Sequence, residues 1–219
     1  AGEYIPIVVE TPATLLLDNV SLNVIGDKLI YITASGTTTI KLEGTNYTQT
    51  NALSSNNQGF ILLEGTDTHL LLEGPGELHI ENHNSAVIGT PYKPEEEVAC
   101  GNITIKNVTL HMYSIYSTIA KTGACIGTGK CEAKGSQKHG NITIANSTIN
   151  CYYNLDSESY AIGTVVDKGL RSDDNGAINI YLKEGETEEE FLNRISGTTY
   201  KVDPNTIFHP YEDTPNWLK

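Results

Sequence analysis

Tyr113 and Tyr152 have the types and spacing that point most directly to chemistry. They stand 39 residues apart in two segments that otherwise repeat, and Tyr116 and Tyr153 lie beside them. A flat aromatic face with a hydroxyl handle suits a sugar ring, which presents C–H groups on one side. Outward tyrosines also serve simply to cover a sheet or to meet a loop. Carboxylates form a second set: Glu95, Glu96 and Glu97 in one stretch, Asp167, Asp173 and Asp174 in another. Such groups can hold Ca²⁺, which takes six to eight oxygen ligands, or they can be solvated loop charge. Arg171 and Arg194 are the only arginines, and His79, His83, His111 and His139 fall at positions the repeat does not match. No acidic residue recurs on the outward side of the aligned strands, so no catalytic residue is assigned.

The elements that must position these side chains follow from the repeat. Residues 101–105 (GNITI) match residues 140–144 (GNITI), and Asn107-Val108-Thr109-Leu110 matches Asn146-Ser147-Thr148-Ile149. Ile126-Gly127-Thr128 matches Ile162-Gly163-Thr164, with fainter echoes at Gly76 to Asn82, Ile88 to Thr90 and Gly176 to Ile180. A period of this length marks a solenoid or an array. Within one period Ile103/Ile105 and Val108/Leu110/Met112 alternate apolar with polar, the signature of strands. Short segments at Ala124–Ile126 and Tyr160–Ile162 read as a third strand. Three short strands per period, with no helix-length apolar stripe, describe one coil of a single-stranded parallel β-helix. Asn19, Asn82, Asn107 and Asn146 then all follow the first strand of a coil. An Asn at that bend tolerates left-handed backbone and can bond the Asn of the next coil, forming a buried ladder. Met112 and Cys151 point inward, so Tyr113 and Tyr152 point outward and stack.

Other segments are read in chain order. Residues 1–10 predict a strand capping one end, 14–33 a complete early coil, and 37–43 a further strand. Residues 44–58 are polar and aperiodic and predict a lateral loop. Residues 59–65 and 69–74 are apolar strands. Loops at 90–100, 128–139 and 164–175 begin at aligned positions and predict one decorated flank. Thr187-Glu188-Glu189-Glu190 is a capping box, and Phe191, Leu192 and Ile195 share a helical face ahead of Gly197. The division is therefore a β-helix over 1–182 and a cap over 183–219, its helix at about 188–196, with the only Trp, Trp217, packing back onto the body.

The net charge of −13 argues against nucleic acid and anionic lipid as partners. No apolar run is long enough to span a membrane as a helix. The chain begins Ala1-Gly2 without Met, as a processed secreted chain or an excised domain would. Among the four cysteines, stacking can bring Cys100 and Cys131 together in a disulfide, whereas Cys125 and Cys151 read as small core residues. Sequons occur at Asn19, Asn46, Asn102, Asn107, Asn141 and Asn146. At Asn19, Asn107 and Asn146 the ladder is the stronger reading.

The rhythm IGT, loop, Gly-Asn-Ile-Thr-Ile, Asn-x-Thr-Leu, with the opening LLLDNVSLNVIGDKLIYIT, resembles β-helix repeat domains of secreted and surface proteins of bacteria. The asparagine ladder resembles that of pectate-lyase-like right-handed β-helices. The resemblance spans residues 14–181 and rests on fold motifs, which carry architecture better than function. It implies an all-β, right-handed parallel β-helix with lateral loops and a short C-terminal capping helix. It also implies a non-catalytic, extracellular or cell-surface domain that binds polysaccharide or a surface glycan, with Ca²⁺ as the cofactor the loop acids would hold. If the glycan is a polyuronate, the chain's negative charge calls for bridging cations. Lyases of this fold pair Ca²⁺-binding acids with a base, and hydrolases use three acids on one sheet; neither pattern is legible in this sequence. A lyase or hydrolase with a divergent site remains the alternative, as does a structural or adhesin module joined to others in a larger surface protein.

Overall fold

A computed structural model describes residues 6–24, 28–50, 59–82, 85–93, 96–114, 123–129, 136–153, 159–164 and 174–219. The chain opens with β1 (Ile7–Val9) and then makes successive three-strand turns. The first turn is β2 (Thr14–Asp18), β3 (Ser21–Val24) and β4 (Lys28–Ile32). The second is β5 (Gly36–Glu43), β6 (Thr45–Thr50) and β7 (Gly59–Leu63). The third is β8 (Thr68–Glu73), β9 (Glu77–Asn82) and β10 (Ile88–Gly89), followed by β11 (Val98–Ala99) in the connection. The fourth is β12 (Ile103–Lys106), β13 (Thr109–Ser114) and β14 (Ile126–Gly127), again with a connecting strand, β15 (Gln137–Lys138). The fifth is β16 (Ile142–Ala145), β17 (Thr148–Tyr153) and β18 (Ile162–Gly163). A last partial turn comprises β19 (Ile178–Tyr181), α1 (Glu188–Asn193), β20 (Ile195–Ser196) and β21 (Thr206–His209).

Three parallel sheets result. The first is ordered β2-β5-β8-β12-β16-β19-β21, the second β3-β6-β9-β13-β17-β20, and the third β1-β4-β7-β10-β14-β18. The chain thus visits the sheets in rotation, and each strand pairs with its equivalent one turn later. The arrangement is all-β, parallel and stacked, compatible with a β-helix or a related solenoid. Neighbouring strands in such stacks lie about 4.8 Å apart, so like residues fall directly over one another.

Inward positions form continuous apolar columns. Ile30, Ile61, Ile88, Ile126 and Ile162 succeed one another in the third sheet, and each is fully buried. Ile40, Leu72, Ile105, Ile144 and Ile180 do the same in the first sheet. Burying a side chain of this size contributes roughly 1.5–3 kcal/mol.

Two ladders of polar side chains hold the turns in register. Asn19, Asn107 and Asn146 all have left-handed backbone, with φ of 52°, 58° and 46°. Asn146 Nδ2 donates to Asn107 Oδ1 at 2.7 Å, and Asn19 Oδ1 accepts from the Thr45 N–H at 3.2 Å. Asn82 does not belong to this ladder. It ends β9 in the second sheet, where it pairs with Ser114, and Gly74 takes the bend after β8. Asn107 and Asn146 are half-buried and Asn19 is exposed, so the ladder rims the core rather than filling it. On the far side of the first sheet, Asn102 Oδ1 accepts from the Asn141 N–H and Asn141 Oδ1 from the Ala177 N–H, both at 2.9 Å.

Three further expectations are corrected. Within residues 44–58, Thr45–Thr50 is a strand, not a loop; its inward positions carry Asn46 and Thr48, whose polarity hides the strand pattern. Asn46 is nonetheless satisfied, donating to Glu43 O and Glu77 O while accepting from the Val20 N–H. The helix stops at Asn193, after which Ile195 and Ser196 pair with Cys151 and Tyr152. Trp217 is 63% exposed, and Thr214 and Leu218 are the buried residues of the tail. The capping box forms as expected: Thr187 Oγ1 accepts from the Glu190 N–H, and Glu190 Oε2 accepts from the Thr187 N–H. Residues beyond 182 also add β20 and β21 to the second and first sheets. No helix among the described residues is long and apolar enough to cross a membrane.

Cys100, Cys125 and Cys151 are buried free thiols, and Cys131, the suggested partner of Cys100, lies outside the described residues. Burial pushes the Cys100 thiol from 9.0 up to about 12, and it raises Cys151 and Tyr153 in the same direction. Between those two values the unfolded chain gives up its thiol proton and the folded chain keeps it. The stabilisation is therefore complete below about pH 9 and is lost as pH rises through the folded pKa. Urea midpoints are expected to fall between pH 8 and pH 10.5, and less steeply in Cys100→Ala; parallel slopes for the two proteins would contradict this assignment.

Candidate functional site

The outward face of the second sheet carries the Tyr113 and Tyr152 side chains. Alternation fixes which residues reach it: Ile80, Met112 and Cys151 succeed one another inward and are fully buried, so their neighbours in sequence face out. Tyr113 pairs in register with Tyr152, and their rings stack with centroids 4.8 Å apart at 15°. Tyr113 is 36% exposed. Tyr153, one residue further, points inward instead. It is 7% exposed, and its hydroxyl accepts from the Cys125 N–H at 3.2 Å, so it is a core residue and not part of the strip. Tyr116 lies outside the described residues.

A second outward column runs Tyr47, His79, His111, Asn150, each the register partner of the next. The imidazoles of His79 and His111 stack 4.4 Å apart at 2°, and Tyr47 leans on His79 at 5.9 Å. Glu77 begins β9 on the same face, and its Oε1 lies 2.8 Å from Nε2 of both histidines. Burial, then the neighbouring His79, lower the His111 pKa against the opposing pull of Glu77. This column escapes the sequence alignment because residues 76–82 were matched to the first strand of a coil. Placed on the second strand, Leu78-x-Ile80 matches Leu110-x-Met112, and the histidines coincide.

A groove of about 590 Å³ follows the bend formed by Asn107 and Asn146. Lys41, Glu73, Lys106 and Lys183 line it together with Thr109 and Thr148, which begin β13 and β17. Glu73 lies 3.9 Å from Lys41 Nζ and 3.3 Å from Lys106 Nζ, and Lys183 Nζ donates to Thr148 Oγ1 at 2.9 Å. Lys106 Nζ also donates to the Trp217 carbonyl at 3.0 Å, which brings the exposed indole's backbone to the groove. Glu43 lines the groove as well, so three ammonium groups share it with two carboxylates in a chain of net charge −13. Thr109 is the register partner of Glu77, so the groove and the aromatic face are contiguous.

Two flank loops contribute short strands to the described structure. Val98 and Ala99 pair with Gln137 and Lys138 as a fourth, two-stranded parallel sheet. Among the acids offered for Ca²⁺, Glu96 pairs with Lys93 at 3.2 Å and Asp174 with Lys138 at 3.0 Å. Glu97 is exposed, and Glu95, Asp167 and Asp173 lie outside the described residues. Glu96 and Asp174 are thus each paired with a separate lysine rather than gathered around one point.

No family model matches the chain, and neither a curated protein nor a solved structure matches it.

Proposed function

We propose that this chain is a non-catalytic, extracellular bacterial polysaccharide-binding domain built on a right-handed parallel β-helix of the pectate-lyase-like kind. The observation that carries the proposal is the Tyr113–Tyr152 stack, two aromatic faces set one turn apart on an outward sheet surface. Apolar ring faces beside hydroxyl, amide and charged groups are the composition that sugar recognition uses. The right hand rests on the general preference of strand–crossover–parallel-strand connections within one sheet. The adjoining groove favours an acidic glycan: Lys41, Lys106 and Lys183 supply donors to carboxylate or sulfate, while Thr109 and Thr148 supply hydroxyls. Direct lysine contacts weaken the need for bridging Ca²⁺ that net charge alone suggested.

The test is binding of the intact chain to a panel of acidic and neutral glycans, with and without EDTA. The same mixtures are followed for unsaturated products and new reducing ends. Binding of an acidic glycan that survives EDTA and leaves the polymer uncut is expected. Absence of glycan binding across the panel, or accumulation of cleaved product, would contradict the proposal. Binding that EDTA abolishes and added Ca²⁺ restores would return the polyuronate contact to Ca²⁺.

A further inference from the structure

Glu77 and His79 are two residues apart on β9, so both project from one face of the strand. His111 is the register partner of His79 on β13, which places a third donor beside them. The donor atoms of the three residues all lie within 4.8 Å of one another. We propose that Glu77, His79 and His111 form a binding site for one divalent first-row transition ion, with Zn²⁺ as the type ion. The site is independent of glycan binding and of the loop acids.

The donor chemistry selects the ion class. Two imidazole nitrogens and one carboxylate oxygen suit Zn²⁺, Co²⁺ or Ni²⁺, whereas Ca²⁺ and Mg²⁺ require oxygen-rich shells. All three ligands come from one sheet face, so an ion held there keeps its remaining positions on the solvent side. That is the open arrangement of sites that retain water or an exogenous ligand. The side chains are half-buried, which limits their rotamer freedom while leaving a path for the ion.

Little rearrangement is needed. Glu77 Oε1 now accepts from both Nε2–H groups at 2.8 Å, so the atoms that must converge on an ion already converge on one another. A tetrahedral ion with bonds of about 2.1 Å sets neighbouring ligand atoms about 3.4 Å apart, so these contacts open by only about half an ångström. The rings lie parallel, and rotation of one about its Cβ–Cγ bond brings its Nε2 lone pair toward the shared point. Ligation through Nε2 moves each neutral ring's hydrogen to Nδ1, with no net loss of a proton. Asn150 Nδ2 stands 3.4 Å from His111 Nδ1 and donates to Leu110 O at 3.3 Å; turning that amide gives up the Leu110 bond and presents Oδ1 to accept the relocated N–H. A partner of this kind fixes a ligating imidazole's orientation.

The experiment is calorimetric titration of the intact chain with ZnCl₂, paralleled by visible absorption with Co²⁺ and by imidazole ¹⁵N spectra. One ion per chain at micromolar affinity or tighter is expected, with at least a tenfold weakening in each of His79→Ala, His111→Ala and Glu77→Gln. His209→Ala, at a ring pair with Tyr181, is expected to bind as the parent does. Circular dichroism checks that the variants fold; if an alanine variant does not, His79→Gln and His111→Gln replace it. In the parent chain, Zn²⁺ should shift the Nε2 resonances of two histidines among the six. Absence of saturable binding, or binding undiminished in both histidine variants, or shifts at other histidines, would overturn the proposal.

Discussion

Gly127→Ala is expected to lower the stability of the fold by about 4 kcal/mol or more, the largest effect of any single methyl group considered. Gly89, Gly127 and Gly163 are stacked register partners in the third sheet, with φ of 148°, 137° and 129°. An L side chain rarely adopts that backbone, and a Cβ on Gly127 would overlap the Gly163 carbonyl oxygen. That carbonyl accepts the Thr128 N–H at 3.0 Å, so it cannot withdraw without breaking a bond between turns. The neighbours Ile126 and Ile162 are fully buried, and moving the strand would open the core beside them. Urea denaturation followed by circular dichroism measures the loss. A midpoint unchanged from the parent would contradict the stacking of the three Ile-Gly-Thr segments.

The second expectation separates backbone strain from hydrogen bonding at the asparagine ladder. Asn107→Ala should cost about 2–3 kcal/mol. Roughly 1–2 comes from holding alanine in the left-handed region and about 1 from the lost bond to Asn146. Asn107→Gly removes the strain and should cost only about 1 kcal/mol, because glycine accepts φ of 58° freely. The molecule already contains this comparison, since Gly44, with φ of 60°, takes the same bend after β5. Equal costs for the two substitutions would show that the left-handed backbone is not what the position selects. The difference between their urea midpoints decides the matter.

The parts of this molecule that were legible in the sequence are those where like residues stack on like. Asn107 over Asn146, Ile126 over Ile162 and Tyr113 over Tyr152 share offsets because each turn repeats the one before it. Legibility fails where a different residue solves the same problem. Gly74 replaces Asn at the bend after β8, so the repeat pattern draws the nearby Asn82 into the ladder and sets residues 76–82 on the wrong strand. That one displacement concealed the pairing of His79 with His111, the most chemically suggestive feature of the aromatic face. Asn46 and Thr48 concealed a strand in the same way, by meeting core geometry with hydrogen bonds instead of apolar area. Tyr153 is legible by alternation alone: because Tyr152 faces outward, its neighbour faces inward. The groove was not readable at all, since Lys41, Lys106 and Lys183 come from three different turns and share no sequence spacing.

The outward tyrosine stack is the claim on which the functional account depends. The most direct measurement compares the affinity of the parent chain, of Tyr113→Ala/Tyr152→Ala, and of Tyr153→Phe for the best glycan of the panel. A loss of at least tenfold, about 1.4 kcal/mol, is predicted for the double variant, with Tyr153→Phe binding as the parent does. Undiminished affinity in the folded double variant would contradict the account.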